Sequence, residues 1–136
     1  MNYWLVKSEP GVYSIDQFEK DKKTCWDGIR NYAARLHLRA MKKGDLVLFY
    51  HSNKDKKIVG LGKVAGEAYQ DPTTTEDWSA VDLAFVSKLP RPLALSELKK
   101  DALLKNMKFV IIGRLSVSPV SNPEMEKICA LSGLKI

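Results

Sequence analysis

With 136 residues, the chain has the length of one domain and can bury a core without disulfide or metal staples. Its 45% hydrophobic and 28% charged content excludes a disordered or fibrous chain, and no apolar run reaches the length of a bilayer span. The net charge of +6 and pI near 9.3 tilt the expectation toward a polyanionic partner such as nucleic acid.

That charge is uneven. Residues 1–57 hold 12 Lys and Arg against 7 Asp and Glu, whereas residues 58–95 hold 3 against 5, so the positive excess belongs mainly to the first half. Cys25 and Cys129 are far apart and form no CxxC, so free thiols are expected rather than a disulfide or a zinc site. MNYWLVKSEP lacks the basic flank and apolar core of a secretory leader, and neither end carries a nuclear-type basic cluster. The expectation is a bacterial, cytoplasmic protein.

In chain order, YWLVK is an aromatic and β-branched run stopped by Glu9-Pro10-Gly11, which predicts an opening strand. Ser14 with Gln17 three residues on predicts a capping box and a short helix. CWDGIRNY then places Trp26 in a loop ahead of a helix over Tyr32–Lys43, capped by Asn31 and closed at Gly44. On that helix Arg35, Arg39, Lys42 and Lys43 share one face.

DLVLFYHS is a strand too continuously apolar to be half exposed. IVGLGKVAGEAYQD is a strand whose glycines at 60, 62 and 66 suggest bulges or close backbone approach. WSAVDLAFVSKL alternates as a strand until Pro90 and Pro92 break it. LSELKKDALLKNM reads as a helix capped by Ser96, FVIIGRLSVSPV as a last strand, and NPEMEKICALSGL as a closing helix ended by Gly133. Five strands interleaved with short helices, without a βα repeat, internal repeat or linker, predict one α+β domain over residues 1–136 built on a compact β-barrel.

Catalytic signatures are missing. Neither GxSxG nor HExxH occurs, His37 and His51 belong to no local motif, and Gly60, Gly62 and Gly66 have the wrong spacing for a phosphate cradle. No metal, cofactor or catalytic residue is therefore assigned. The chain supplies instead aromatic and polar groups at strand and loop ends: Trp26 beside Asp27, Arg30 and Asn31; His51 and Ser52 beside Phe49 and Tyr50; Arg114 and Ser116 near the end. A nucleobase needs such a mixture, a flat ring to stack on, hydrogen-bonding groups for its edge and cations for its phosphate. Stacking is worth about 1–3 kcal/mol per base.

The strings YWLVKSEP, CWDGIRNYAAR, GDLVLFYHS, VGLGKVAGEAYQDPT, WSAVDL and RLSVSPV, in that order and over nearly the whole chain, resemble the EVE domain family. The resemblance implies a PUA-like pseudobarrel of five to six mostly antiparallel strands decorated with short helices, related to the YTH domains that read methylated adenine in RNA. It also implies binding of DNA or RNA carrying modified bases, modified cytosine first among them.

Carried over by position, the resemblance frames a base pocket with Lys7 and Ser8, the loop from Trp26 to Asn31, Tyr50, His51 and Ser52, and Arg114, Leu115 and Ser116. Trp26 would be the wall for the base, Asn31, Ser8 and Ser116 edge contacts, and Arg30, Arg35, Arg39, Lys42 and Lys43 the phosphate ligands. Ala33 departs from the polar residue common in the family after the NYxAR tyrosine, which alters the rim. Two rivals stay open: an amidohydrolase like the ASCH branch of the PUA-like superfamily, with Lys7 and Glu9 as catalytic lysine and acid, and a protein-interaction module indifferent to Trp26. The modification and the oligomeric state are left open by the sequence.

Overall fold

The structure, a computed structural model, describes residues 1–136. The elements run β1 (Tyr3–Ser8), α1 (Ile15–Asp21), β2 (Lys23–Trp26), α2 (Tyr32–Ala40), β3 (Leu46–His51), β4 (Lys57–Val64), β5 (Tyr69–Gln70), β6 (Ser79–Ala94), α3 (Leu95–Lys100), a 3₁₀ turn (Leu104–Asn106), α4 (Lys108–Ile111), β7 (Val117–Val120) and α5 (Asn122–Ser132). The sheet runs β2-β6-β4-β3-β1-β7, with β5 added to β6. Only β1 and β3 pair in parallel, and α1, β2 and α2 form the long crossover that such a pair requires.

Side-chain alternation splits the interior into two cores. Trp4 and Val6 of β1 and Val47 and Phe49 of β3 pack with Ile15 and Phe18 of α1 and Ala34 and Leu38 of α2. Leu5, Leu48 and Tyr50, from the same strands, pack on the other face with Leu98, Phe109, Met125 and Ile128. Both sides of the central strands are therefore covered, which is why DLVLFYHS lacks polar alternation.

Two glycines of β4 allow α1 to lie directly on the sheet. A Cβ on Gly60 would run into the Ile15 side chain, and one on Gly62 would come within 3.1 Å of both the Ala84 carbonyl oxygen and the Phe18 ring. Gly60 follows a bulge: Phe49 pairs with Gly60 and Tyr50 with Ile58, leaving Val59 without a partner on β3.

Several elements differ from expectation. Lys23–Trp26 is an edge strand, so Trp26 is the last residue of β2, opposite Val81. The helix α2 stops at Ala40 because the Asp45 carboxylate captures the Lys42 amide at 3.0 Å, which puts Lys42 and Lys43 beyond the Arg35/Arg39 helical face. Ser14 caps α1 as expected, but Gln17 sends its amide to Asp21 at 2.8 Å instead of back to the cap.

The prolines do not end β6. Lys88 pairs with Gly60 and Leu93 with Ile58, so residues 89–92 bulge out opposite Val59 and need no ladder donors there. Ser96 lies inside α3, and Asp101 ends that helix by accepting the Leu103 and Leu104 amides. FVIIGRLSVSPV divides into α4, a turn and β7: Phe109 and Leu115 are buried while Ile111 and Ile112 are exposed, a one-turn helical pattern rather than a strand. No helix is long and apolar enough to cross a membrane.

Candidate functional site

The ends of β1 and β2 open onto a cleft of about 530 Å³ lined by Lys7, Ser8, Glu9, Tyr13, Trp26 and Asp27, with Val12, Thr24, Cys25 and Ile29 completing it. Trp26 is only 8% exposed. Its ring meets those of Phe49 at 5.6 Å and Tyr13 at 6.2 Å edge to face, a packing that holds the indole rigid. The tryptophan thus belongs to the core and to the cleft at once. Trp4 shows the contrast: its indole N–H donates to Asp45 at 3.0 Å, whereas that of Trp26 has no acceptor in the protein and is not sealed from solvent.

Other groups of this cleft are already committed. The Ser8 hydroxyl donates to the Tyr13 carbonyl oxygen at 2.6 Å. Burial pushes the Cys25 thiol up, and the Tyr69 hydroxyl lies 3.0 Å from its sulfur, so it lines the wall as a neutral thiol. Lys7 turns its ammonium away toward the Gly113 carbonyl oxygen at 2.8 Å, and burial pushes its pKa down.

The loop after Trp26 is fixed from below by a residue that sequence reading passed over. Asp71, fully buried, accepts the Gly28 amide at 2.9 Å, the Arg30 guanidinium at 3.0 Å, and the Thr73 amide and hydroxyl at 2.7 and 2.6 Å. Burial alone would raise its pKa, but the Thr73, Gly28 and Arg30 donors outweigh it and hold the carboxyl well below the usual range. Gly28 takes φ +76°, a backbone conformation that suits glycine at this turn.

Beside the loop, two of the expected phosphate ligands, Arg35 and Arg30, lie against a pair of stacked rings, and a third, Arg39, is held next to them by Asp77. Tyr32 and Trp78 stack at 5.3 Å, and the Arg35 guanidinium lies 5.0 Å from the Tyr32 ring and 5.1 Å from that of Trp78. Arg30 lies 5.6 Å from the Trp78 ring. Asp77 already faces this group: Arg39 donates to its carboxylate at 2.6 Å, and Arg35 approaches it at 3.6 Å. Lys42 and Lys43 are exposed and form no ion pair.

The structure brings Lys7, Ser8 and Trp26 to one cleft, with Asp27 and Ile29 of the following loop, and sends the remaining expected pocket residues elsewhere. The Asn31 side chain caps α2 by accepting the Ala34 amide at 3.0 Å. His51 is buried and structural: Nε2 accepts the Ile15 amide at 3.0 Å and Nδ1 faces Asp55 at 2.7 Å. Tyr50 and Ser52 line a separate depression that shares only Lys7 with the Trp26 cleft. Leu115 is core, Ser116 binds the Lys7 amide through its carbonyl oxygen at 2.9 Å, and Arg114 is exposed in the turn before β7 rather than in the strand. No group of three or more His, Cys, Asp or Glu side chains is placed to hold a metal ion.

A family model described as the EVE domain matches residues 2–131. The chain belongs to the EVE domain family. It is 39% identical to human thymocyte nuclear protein 1, with 96% of this chain and 73% of the relative covered. Among solved structures, a Rhodopseudomonas palustris protein superposes with a TM-score of 0.94 at 40% identity, covering 100% of this chain and 96% of the other. The human THYN1 protein in complex with DNA containing 5-methylcytosine superposes with a TM-score of 0.88 at 37% identity, both chains being covered completely.

An ASCH protein from Zymomonas mobilis shares the fold alone, with a TM-score of 0.61 at 12% identity over 96% of this EVE chain and 95% of the other. The α+β, PUA-like architecture expected from the sequence is the one present. Its seven strands exceed the expected five or six because β2 falls where a loop was expected and IVGLGKVAGEAYQD divides into β4 and β5.

Proposed function

We propose that this EVE domain, residues 1–136, is a nucleic-acid reader that accepts one modified base, a modified cytosine, in the Trp26 cleft. The observation that carries the reading is the indole itself: a rigid ring at the cleft wall whose N–H has no partner in the protein. A planar base would stack against or beside this ring and receive its hydrogen bond, while arginines on α2 hold flanking phosphates. The complex of human THYN1 with 5-methylcytosine-containing DNA supports this choice of base and of DNA. The reading places the protein with nucleic acid in the bacterial cytoplasm.

An ASCH-like hydrolase is supported less well. Lys7 and Glu9 do line the same cleft, yet the Lys7 ammonium is bound to Gly113, and the ASCH likeness extends to fold alone.

The test is equilibrium binding to oligonucleotides of one sequence carrying cytosine, 5-methylcytosine or methylated adenine, single- and double-stranded, at several salt concentrations. Tighter binding to the modified cytosine, weakening as salt rises, is expected. Trp26→Phe keeps a ring and removes the donor, so it should cut the preference by up to about tenfold. Phe is the better probe, since Trp26→Ala in this core position would cost about 3–5 kcal/mol of stability. Equal or absent binding across the panel contradicts the reading.

A further inference from the structure

Tyr50 and Ser52 open onto a second depression, of about 310 Å³, to which Lys7, Asn53, Lys56 and Lys99 also contribute. Its charged lining is entirely basic, and none of the three lysines forms an ion pair with a carboxylate. The Tyr50 and Ser52 hydroxyls and the Asn53 amide find no partner in the protein and are not sealed from solvent. Asn53 and Lys56 both adopt left-handed backbone, φ 66° and 49°, so the β3–β4 turn is bent with both residues lining the depression. The Lys7 ammonium lies 5.6 Å from the Phe109 ring and 2.8 Å from the Gly113 carbonyl oxygen, half-buried with its charge uncompensated. A set of convergent donors and cations without an acid is suited to a phosphate group.

The position relative to the Trp26 cleft gives the phosphate a context. Lys7 lines both cavities, and its ammonium is bound to Gly113 of the second. Ser8, in the first, accepts the Ser52 amide, from the second, at 2.9 Å. Paired strands are about 5 Å apart, and a nucleotide with its base in one cavity carries its own phosphates one sugar away. The arginines, by contrast, already face carboxylates: Arg30 of the loop before α2 faces Asp71, and Arg35 and Arg39 of α2 face Asp77.

We propose that this depression seats a backbone phosphate of the nucleic acid whose base enters the Trp26 cleft, with Lys56 and Lys99 as its ligands and Lys7 joining the two sites. The proposal rests on the reader function and adds to it the path of the strand: across the end of β1 rather than over α2 alone.

Lys56 and Lys99 are exposed, so the Lys56→Gln/Lys99→Gln double variant should fold as the parent does, checked by circular dichroism and thermal melting. Its affinity for duplexes with and without 5-methylcytosine is measured against salt. The expected result is about tenfold weaker binding to both, with the preference for the modified base unchanged. The slope of log K against log salt should flatten by about 0.9 for each phosphate that the variant no longer neutralises. Unchanged affinity and slope overturn the proposal.

A second arm titrates inorganic phosphate into the ¹⁵N-labelled parent. Shifts at the Ser52, Asn53 and Lys56 amides that vanish in the double variant support the site. Should the parent bind no oligonucleotide, the reader function fails and this titration alone decides: shifts keep the anion site, and unmoved amides remove it.

Discussion

The Asp71 carboxylate accepts the Gly28 amide at 2.9 Å, and that hydrogen bond ties the loop following Trp26 to the chain following β5. Because the same carboxylate also holds Arg30 and Thr73, the shape of the cleft depends on a residue that does not line it. Asp71→Asn removes the charge from a buried acceptor of four donors and should destabilise the fold by about 2–3 kcal/mol, read by urea denaturation.

The pH dependence of stability follows from the same group. Folded Asp71 holds its carboxyl below the ordinary range, so between that value and the unfolded value of about 4 the unfolded chain carries more protons. Asp45 shifts in the same direction: burial pushes it up, but the Trp4 indole and the Lys42 and Asn2 amides more than offset this. Their stabilising contribution is complete above about pH 4 and is lost as pH falls through the folded values. Melting temperature against pH should therefore drop on the acid side, and Asp71→Asn should show a shallower drop. Parallel curves for the two proteins would remove Asp71 from the explanation.

Asp77 restrains the arginines of α2. Asp77→Asn should leave the stacked Tyr32 and Trp78 rings and Arg35, whose hydrogen bond goes to the Asp77 carbonyl oxygen at 2.8 Å, in place while releasing Arg39 toward phosphate. Exposed pairs of this kind are weak, so the expected gain is about two- to fivefold in affinity for every oligonucleotide, with a steeper salt dependence and the same base preference. Arg39→Ala should act in the opposite direction. A gain confined to the modified base would show that Asp77 acts on the cleft instead.

Gly60 tests how α1 is seated. Gly60→Ala drives a methyl group into Ile15 and should cost about 1–3 kcal/mol. Ile15→Val removes the nearest clashing atom, so the double variant should recover part of that loss, measured as a coupling energy between the two sites. Strict additivity would mean that the two residues do not press on each other.

The fold was legible wherever burial and caps act locally. Ser14, Asn31 and Gly133 cap the helices that the sequence assigns to them, and the strand-interior Gly60 and Gly62 mark a close backbone approach. The misreadings have separate causes. Asp45 ends α2 through a hydrogen bond to Lys42, while Pro90 and Pro92 are carried by a bulge opposite Val59. In FVIIGRLSVSPV one helical turn looks like strand because it is short and apolar.

The candidate site was legible as a set of residue types more than as one place. Lys7, Ser8 and Trp26 do line one cleft, but Tyr50 pairs with Lys7 and shares its face, the one that opens onto the second depression with Ser52, whereas Ser8 alternates to the other. His51, beside them in sequence, faces the opposite side and ties β3 to α1. Asp71, Asp77 and Trp78 were missed since their partners lie some forty residues away, although the YQDPT string already held the first of them.

The central claim is that Trp26 meets the base, and its indole proton reports that directly. The chain has three tryptophans: Trp4 is locked to Asp45, Trp78 lies under the arginines, and Trp26 has a free N–H. In ¹H–¹⁵N spectra, addition of a 5-methylcytosine oligonucleotide should move the Trp26 indole resonance strongly, leave Trp4 in place, and move Trp78 with modified and unmodified strands alike. A Trp26 resonance that stays fixed while the modified oligonucleotide is bound would contradict the account.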